Sequence, residues 1–242
     1  MSLPSPPRFT PASGPKPNAR ALADGSAALN FRAVIFDMDG VIVNSEPYHE
    51  KAFYEVLREI GYDRRFDLRF SDYVGLSDHI MWVDFVERYR PPQTVEELMA
   101  LKRHKIIEAM RREEPVFHGL PELVAQLAAR CRLGLASGSQ HPVIEAVLSL
   151  QGLGRFFSAV VSSSDVAQGK PSPDIFLRTA ELLEVAPQDC WVIEDSKPGV
   201  AAALNAGMRV IAITNTLAAD QLRPATHVVQ DYEAIRRLLL GG

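Results

Sequence analysis

Short apolar runs alternate with segments of helical periodicity from residue 119 to the end of this 242-residue chain, and this alternation constrains the fold more than any other feature. Runs such as Val210-Ile211-Ala212-Ile213 suit strands covered on both faces, and alternation of such strands with helices implies a parallel sheet. We predict strands at Arg132–Ala136, Ala159–Ser162, Trp191–Glu194, Val210–Thr214 and His227–Val229. We predict helices at Pro121–Arg130, Pro142–Leu150, Pro173–Glu184, Pro198–Ala206 and Tyr232–Leu240.

A further apolar run, at residues 32–37, stands apart from the others. The segment that separates it from the alternating region has helical periodicity and no strand pattern. Helices are predicted there from Tyr48 to Ile60, from about Ser77 to Tyr89 and from Thr94 to Arg112. We therefore predict the α/β class. A doubly wound, Rossmann-like parallel sheet is expected from residues 29–45 and 117–242, with an inserted α-helical domain at residues 46–116.

The first 28 residues differ in composition from the rest. They contain six of the 17 prolines, among Ser, Ala and Gly, with little apolar periodicity. Such a segment cannot bury enough apolar surface to offset the entropy lost on ordering. We expect a disordered Pro-rich tail.

Composition limits the possible partners. An apolar fraction of 47% is sufficient for a packed core, and the net charge of −4 argues against a surface that binds nucleic acid. Cys131 and Cys190 are the only cysteines, and we interpret both as core thiols in a reducing compartment. Neither a signal peptide nor a membrane-spanning run is evident. We expect a cytoplasmic monomer or weak dimer that binds neither nucleic acid nor membrane.

Polar side chains collect where the predicted strands end. In a doubly wound sheet, ligands bind outside the carboxyl ends of the strands. These ends carry, in chain order, Asp37 and Asp39, then Ser137, Gly138 and Ser139, then Lys170, and then Glu194 and Asp195. Asn215 and Thr216 follow the fifth strand and could contact a ligand, although a turn is the favoured interpretation.

This set of groups is the one that phosphoryl transfer through an aspartyl intermediate requires. One carboxylate attacks phosphorus, while a lysine and a hydroxyl hold the remaining phosphate oxygens. A second acid, Asp39, can protonate the leaving oxygen and then activate water. Because the ligands are all hard oxygens, the cation they favour is Mg²⁺, held by Asp37, the backbone carbonyl of Asp39, and Asp195.

Over residues 31–240 the chain resembles the haloacid dehalogenase superfamily of phosphotransferases. Its four motifs are matched, in order, by Asp37-Met38-Asp39-Gly40, Ser137, Lys170-Pro171 and Glu194-Asp195. The helical insertion resembles the α-helical cap of phosphoglycolate phosphatases, β-phosphoglucomutases and related sugar phosphatases. The resemblance implies the following roles: Asp37 as nucleophile, Asp39 as general acid/base, Ser137 and Lys170 as phosphate ligands, and Asp195 as a magnesium ligand. Glu194 would be a further magnesium ligand or an acid that contacts the ligands without binding the metal.

Further candidates for substrate contact are Gly138 and Ser139 beside the hydroxyl motif, and His49, Lys102 and Lys105 in the inserted domain. His49 has the placement of a histidine that helps to orient the general acid/base in β-phosphoglucomutase-like proteins, but a solvent-facing helix histidine fits equally well. Lys102 and Lys105 could meet a substrate phosphate, although such a run is more often a solvated helix face. Where the mutases carry a phosphate-gripping arginine, this chain reads Gly75-Leu76-Ser77-Asp78. An acid there would repel a second phosphate.

We therefore predict a magnesium-dependent phosphatase of a small phosphorylated metabolite, a sugar or hydroxyacid phosphate. A sugar phosphate mutase of the β-phosphoglucomutase type would share every core residue and is the alternative enzyme. A non-enzymatic phospho-acceptor signalling module is the alternative of another class, but such modules lack the inserted domain. A dehalogenase would have no obvious use for Asp39.

Overall fold

The computed structural model describes residues 31–62, 67–73 and 78–241, without the side chains of Ser71 and Asp78. The tail predicted at residues 1–28 lies outside the described residues. Gly75, Leu76, Ser77 and the side chain of Asp78 also lie outside them, so the effect of an acid at that position stays a prediction.

Six parallel strands form one sheet within the described ranges, in the order β3-β2-β1-β4-β5-β6. Their bounds are β1 Ala33–Phe36, β2 Arg132–Ser137, β3 Ala159–Ser162, β4 Cys190–Glu194, β5 Arg209–Ile213 and β6 His227–Val229. The α-helices are α1 Glu46–Glu59, α2 Asp78–Tyr89, α3 Val95–Glu113, α4 Leu120–Ala128, α5 His141–Ser149, α6 Asp174–Leu183, α7 Lys197–Asn205 and α8 Tyr232–Leu240. The predicted fold class is confirmed.

The direction in which successive strands are added to the sheet reverses at β1. In the register of the sheet, Ile35 is aligned with Gly134 of β2 on one side and with Val192 of β4 on the other. The chain proceeds outward from β1 to β3 and then, on the other side, from β4 to β6. A reversal of this kind opens a crevice at the carboxyl ends of the central strands, which is where ligands bind in such sheets.

Burial explains why the strands carry unbroken apolar runs. Every residue of β1 and of β4 is buried, as expected for central parallel strands covered on both faces. The predicted strands agree with the observed ones to within about a residue at each end, the usual uncertainty of such boundaries. β2 extends through Ser137 because this residue is in register with Ser162 and the ladder continues to it.

The described residues divide into two compact units, and the helical unit spans Asn44–Pro115. Its three helices bury one apolar cluster, to which α1 contributes Phe53, Val56 and Leu57, α2 contributes Met81, Trp82 and Phe85, and α3 contributes Leu98. α3 begins with a capping box, in which the Thr94 hydroxyl accepts from the Glu97 N–H and the Glu97 carboxylate accepts from the Thr94 N–H. The sheet unit contains the other described elements.

The two ends of the helical insertion are bonded to each other. In the sheet unit, Val43 and Val116 form an antiparallel bridge, and the Phe117 N–H donates to the Ile42 carbonyl at 3.1 Å. In the helical unit, the Asn44 N–H donates to the Pro115 carbonyl at 2.9 Å. The chain therefore leaves the sheet unit and returns to it through adjacent, paired segments.

Cys131 and Cys190 are buried in the sheet unit and form no disulfide, which confirms their interpretation as core thiols. Burial raises the pKa of Cys131 to about 12 and that of Cys190 to about 11. None of the helices in the described ranges has the length and apolarity needed to cross a bilayer.

Candidate active site

The chain turns sharply at the carboxyl end of β1. Asp37 follows the strand directly, and its N–H donates to the Ile193 carbonyl of β4 at 3.0 Å. Met38 is fully buried, while its carbonyl accepts from the Ile42 N–H at 2.8 Å and closes the turn. Gly40 has a φ of +79°, a conformation that side chains with a Cβ rarely adopt. This turn keeps Asp37 and Asp39 at the edge of the sheet.

Lys170 joins two of the acids in a buried ion-paired cluster. Its Nζ lies 2.5 Å from Oδ1 of Asp37 and 2.6 Å from Oε1 of Glu194. The side chains of Lys170, Asp37 and Glu194 are 13%, 8% and 0% exposed. Burial alone would lower the pKa of Lys170, but the two carboxylates raise it above its ordinary value. The lysine therefore carries a permanent positive charge at this edge.

The acids themselves are held in an environment that opposes their ionisation. Burial raises the pKa of Asp37 well above its ordinary value; Lys170 opposes this rise, and the neighbouring acids add to it. Burial, and then the charge of Glu194, raise the pKa of Asp195 to about 7. Burial keeps both pKa values high although Lys170 lowers them, so a cation at this place would favour the ionised forms.

The oxygens of three carboxylates are close enough to share a metal ion. Asp37, Glu194 and Asp195 each offer an oxygen, and these oxygens lie within 4.8 Å of one another. The set is composed of hard oxygen donors, which fits Mg²⁺ better than a soft or nitrogen-preferring metal. Gly40 packs directly against one of these carboxylates, since a Cβ at Gly40 would collide with that of Asp195. The absence of a side chain at Gly40 thus leaves room for the acid cluster.

Both carboxylate oxygens of Glu194 accept hydrogen bonds. Oε1 accepts from Lys170, while Oε2 accepts from the N–H groups of Asp195 and Ser196 at 2.8 and 2.9 Å and from the Ser196 hydroxyl at 2.9 Å. Gly199, at the start of α7, leaves the space that this carboxylate occupies. Glu194 thus orients Lys170 and the start of α7, in addition to its place in the acid cluster.

The segment after β2 contacts the second acid. Asp39 Oδ2 accepts from the hydroxyl of Ser139 at 2.9 Å and from that of Ser137 at 3.4 Å. Residues at the carboxyl end of β3 support the backbone of this segment. The Ser162 hydroxyl donates to the Ser139 carbonyl at 2.8 Å, and the Ser163 hydroxyl donates to the Gly138 carbonyl at 2.7 Å. Sequence reasoning missed Ser162 and Ser163, whose only signal was their position at the same edge of the sheet.

Thr216 lies in the predicted turn after β5, but sequence reasoning missed its contact with the acidic motif. Its hydroxyl donates to Oδ2 of Asp195. The neighbouring Asn215 side chain donates to the Gly40 carbonyl at 2.8 Å. The segment after β5 therefore contacts both the acidic motif and the turn after β1.

The candidates in the inserted segment belong to the helical unit. Lys102 is fully buried there, with its Nζ 5.2 Å from the centre of the Phe70 ring, so the interpretation of a solvated helix face is wrong for this residue. Lys105 is 21% exposed and pairs with Glu59 at 2.7 Å. His49 lies half-buried in the first part of α1.

Comparison with known proteins identifies the family. Residues 31–207 match the family model of the haloacid dehalogenase-like hydrolases. This chain belongs to that family. The resemblance seen in the four motifs is confirmed, and membership makes the chain a hydrolase by family rather than a phospho-acceptor signalling module.

Relatives of this haloacid dehalogenase-like hydrolase include a sugar phosphatase and a sugar phosphate mutase. A fructose-1-phosphate phosphatase of Escherichia coli is 31% identical over 190 residues, which cover 75% of this chain and 95% of that protein. A β-phosphoglucomutase of Bacillus subtilis is 32% identical over 193 residues, which cover 76% of this chain and 83% of that protein. A solved structure of CbbY from Rhodobacter sphaeroides has a TM-score of 0.73 at 24% identity, covering 82% of this chain and 93% of that chain, and supports the fold alone.

Proposed function

We propose that this haloacid dehalogenase-like hydrolase is a magnesium-dependent phosphatase of a small phosphorylated metabolite, a sugar or hydroxyacid phosphate. The observation that carries the proposal is the buried cluster in which Lys170 contacts Asp37 and Glu194, with Asp195 alongside. A buried nucleophilic carboxylate next to a fixed cation and further acids is the arrangement that attack on a phosphate dianion needs.

Asp37 is the proposed nucleophile. A carboxylate oxygen of Asp37 forms a bond to phosphorus while the bond from phosphorus to the ester oxygen of the substrate breaks, and a phospho-aspartyl intermediate results. Lys170 and the Ser137 hydroxyl stabilise the charge on the phosphate oxygens that do not react. The N–H groups of Gly138 and Ser139 are further candidates for these oxygens. Water then attacks phosphorus, which releases phosphate and restores Asp37.

Asp39 is the proposed general acid/base. In the first step it gives a proton to the leaving oxygen of the substrate, and in the second it takes one from the attacking water. The hydroxyls of Ser139 and Ser137 hold its Oδ2, so that the carboxyl group is oriented before substrate arrives. His49 is the candidate for a further residue that orients Asp39.

The metal ligands are proposed to be Asp37, Asp195 and the backbone carbonyl of Asp39. Glu194 completes the acid set, either as a further ligand or as the group that orients Lys170. When bound, Mg²⁺ would supply positive charge to the phosphate and to the acids around it. The raised pKa values of Asp37 and Asp195 support this role, because a cation beside these buried carboxyl groups favours their ionised forms.

The inserted helical domain, predicted at residues 46–116, is proposed to act as a cap that selects the substrate. The E. coli fructose-1-phosphate phosphatase matches this chain over 95% of its own length, which supports a sugar phosphate as the substrate. Lys105, which is partly exposed, is a better candidate for substrate contact than Lys102, which is fully buried beside the Phe70 ring.

A β-phosphoglucomutase activity is the alternative, supported by the B. subtilis relative, but it is not favoured. A mutase grips a second phosphate, and Asp78 would repel one if it takes the position of the mutase arginine. The two activities differ in whether the phosphoryl group goes to water or to the substrate.

The test is a screen of sugar and hydroxyacid phosphates with Mg²⁺ present, including both anomers of glucose 1-phosphate, in which phosphate release and isomer formation are measured together. We expect phosphate release that EDTA abolishes and that Asp37→Asn lowers by about 10³-fold or more. Asp220→Asn, which removes an exposed acid of the sheet unit, is the matched control and should retain activity. Isomer formation without net phosphate release would establish the mutase instead.

A further inference from the structure

Three strand ends meet at one point of the candidate site. Gly40 follows β1, Asp195 follows β4 and Thr216 follows β5. A Cβ placed on Gly40 would lie 2.7 Å from Thr216 Oγ1 and closer still to Oδ2 of Asp195. The hydroxyl and the carboxylate are therefore packed together against the backbone of Gly40.

We propose that Thr216 is a positioning residue for the metal site: its hydroxyl donates to one oxygen of Asp195 and so fixes the carboxylate for binding a divalent cation. The inference rests on the proposed function, because it takes Asp195 as a magnesium ligand. A carboxylate has two oxygens with two lone pairs each, so the bond from the Thr216 hydroxyl to Oδ2 leaves lone pairs of Asp195 available to a cation. A hydrogen bond to a ligating carboxylate restricts its rotation before the metal arrives.

The position of Thr216 is itself fixed by its neighbour. The Asn215 amide donates to the Gly40 carbonyl at 2.8 Å and to the Tyr232 hydroxyl at 3.0 Å. The Tyr232 hydroxyl in turn donates to the Val41 carbonyl at 2.7 Å. Tyr232 is buried and belongs to α8, so the segment after β5 is bonded to the turn after β1 through two routes. Thr216 is thus held against Asp195 rather than left in a free loop.

The geometry distinguishes Thr216 from a residue that only stabilises the fold. Its side chain is exposed and has no place in the apolar core, so its removal costs little packing. Thr226 offers a matched control in the same unit. It is also exposed, and its Oγ1 accepts from the Val210 N–H at 3.0 Å, at the amino end of β5 rather than at the carboxyl end.

The test is calorimetric titration of Mg²⁺ alone into the full chain and its variants, with melting temperatures in EDTA as the check on folding. We expect Thr216→Val to weaken Mg²⁺ binding by about 10-fold or more, as substitutions behind a metal ligand do. Thr216→Ser, which keeps the hydroxyl, should restore an affinity close to that of the unaltered protein. Thr226→Val should leave the Mg²⁺ affinity unchanged even if it lowers the melting temperature.

Asp195→Asn separates failure of this inference from failure of the proposed function. If the unaltered chain binds Mg²⁺, Asp195→Asn does not, and Thr216→Val binds as tightly as the unaltered chain, the positioning role is overturned and the metal site stands. If the unaltered chain does not bind Mg²⁺, or Asp195→Asn binds it equally well, the magnesium site of the proposed function is wrong and the role of Thr216 fails with it.

Discussion

Lys170 and Asp37 form a buried ion pair, with Nζ 2.5 Å from Oδ1 and side-chain exposures of 13% and 8%. Since Glu194 also binds the ammonium group, one cation compensates two buried carboxylates. The pair holds the proposed nucleophile in place, and the charge balance of these two carboxylates depends on Lys170.

Replacing Lys170 by Met should therefore destabilise the protein as well as inactivate it. Loss of one partner from a buried ion pair costs about 3–5 kcal/mol, because the remaining charges are left uncompensated. We expect a large fall of the melting temperature in EDTA and a smaller fall in Mg²⁺, which replaces part of the lost charge. Lys51→Met removes an exposed lysine and should change neither value appreciably. Equal falls with and without Mg²⁺ would argue against a metal beside Lys170.

Asp39→Asn should slow turnover by about 10²–10⁴-fold, the usual contribution of a general acid or base. The leaving group of p-nitrophenyl phosphate needs little protonation. With this substrate, hydrolysis of the phospho-enzyme should therefore slow more than its formation. Rapid mixing should then show a burst of nitrophenol and an accumulating phospho-enzyme. A steady rate equal to that of the unaltered enzyme would remove Asp39 from proton transfer.

Mg²⁺ binding should weaken as the pH falls below about 7. The pKa of Asp195 is raised to about 7 by burial and by Glu194, so below this pH the metal-free carboxyl group is mostly protonated and must lose its proton to bind a cation. Calorimetry in buffers of different ionisation enthalpy should show proton release on binding at pH 6 and little at pH 8.5. A carboxyl group with an ordinary pKa would be ionised already at pH 6 and would release no proton at either pH.

Gly40→Ala should lower Mg²⁺ affinity as well as stability. Gly40 and Gly61 both have a φ close to +80°, so an alanine at either position carries a similar backbone cost of about 1 kcal/mol. At Gly40 the new Cβ would collide with the Asp195 carboxylate, whereas at Gly61 no atom of the described residues lies within 4 Å of it. The comparison of the two variants by calorimetry and melting therefore isolates the contact with Asp195. If Mg²⁺ affinity falls equally in both, the effect is not local to the site.

The sheet and the strand-end residues could be predicted because their signals are local. An apolar run followed by acids and glycine specifies a buried strand and a turn wherever it occurs, and parallel topology then brings the carboxyl ends of several strands to one edge. Asp37, Lys170, Glu194 and Asp195 were expected at that edge, and they are in contact there. The roles assigned to them stay predictions.

The contacts that were missed depend on distant partners. Thr216 and Asp195 are 21 residues apart, and nothing in the sequence pairs a threonine after one strand with an acid after another. Lys102 is a different case, because a signal was present. Leu98, Lys102 and Ile106 recur every four residues along α3, and all three are buried. The charges at Arg103 and Lys105 obscured this periodicity and favoured a solvated face.

The paired segments at the ends of the helical insertion have a consequence for protein engineering. Since Val43 is bridged to Val116, a short turn could connect these two residues and replace residues 44–115. The segments that connect the strands of the sheet would keep their lengths. The helical insertion can therefore be exchanged at this junction without altering the connections between the strands. A different helical domain with similarly spaced ends could be grafted there, and the residues at the edge of the sheet would keep their own backbone connections.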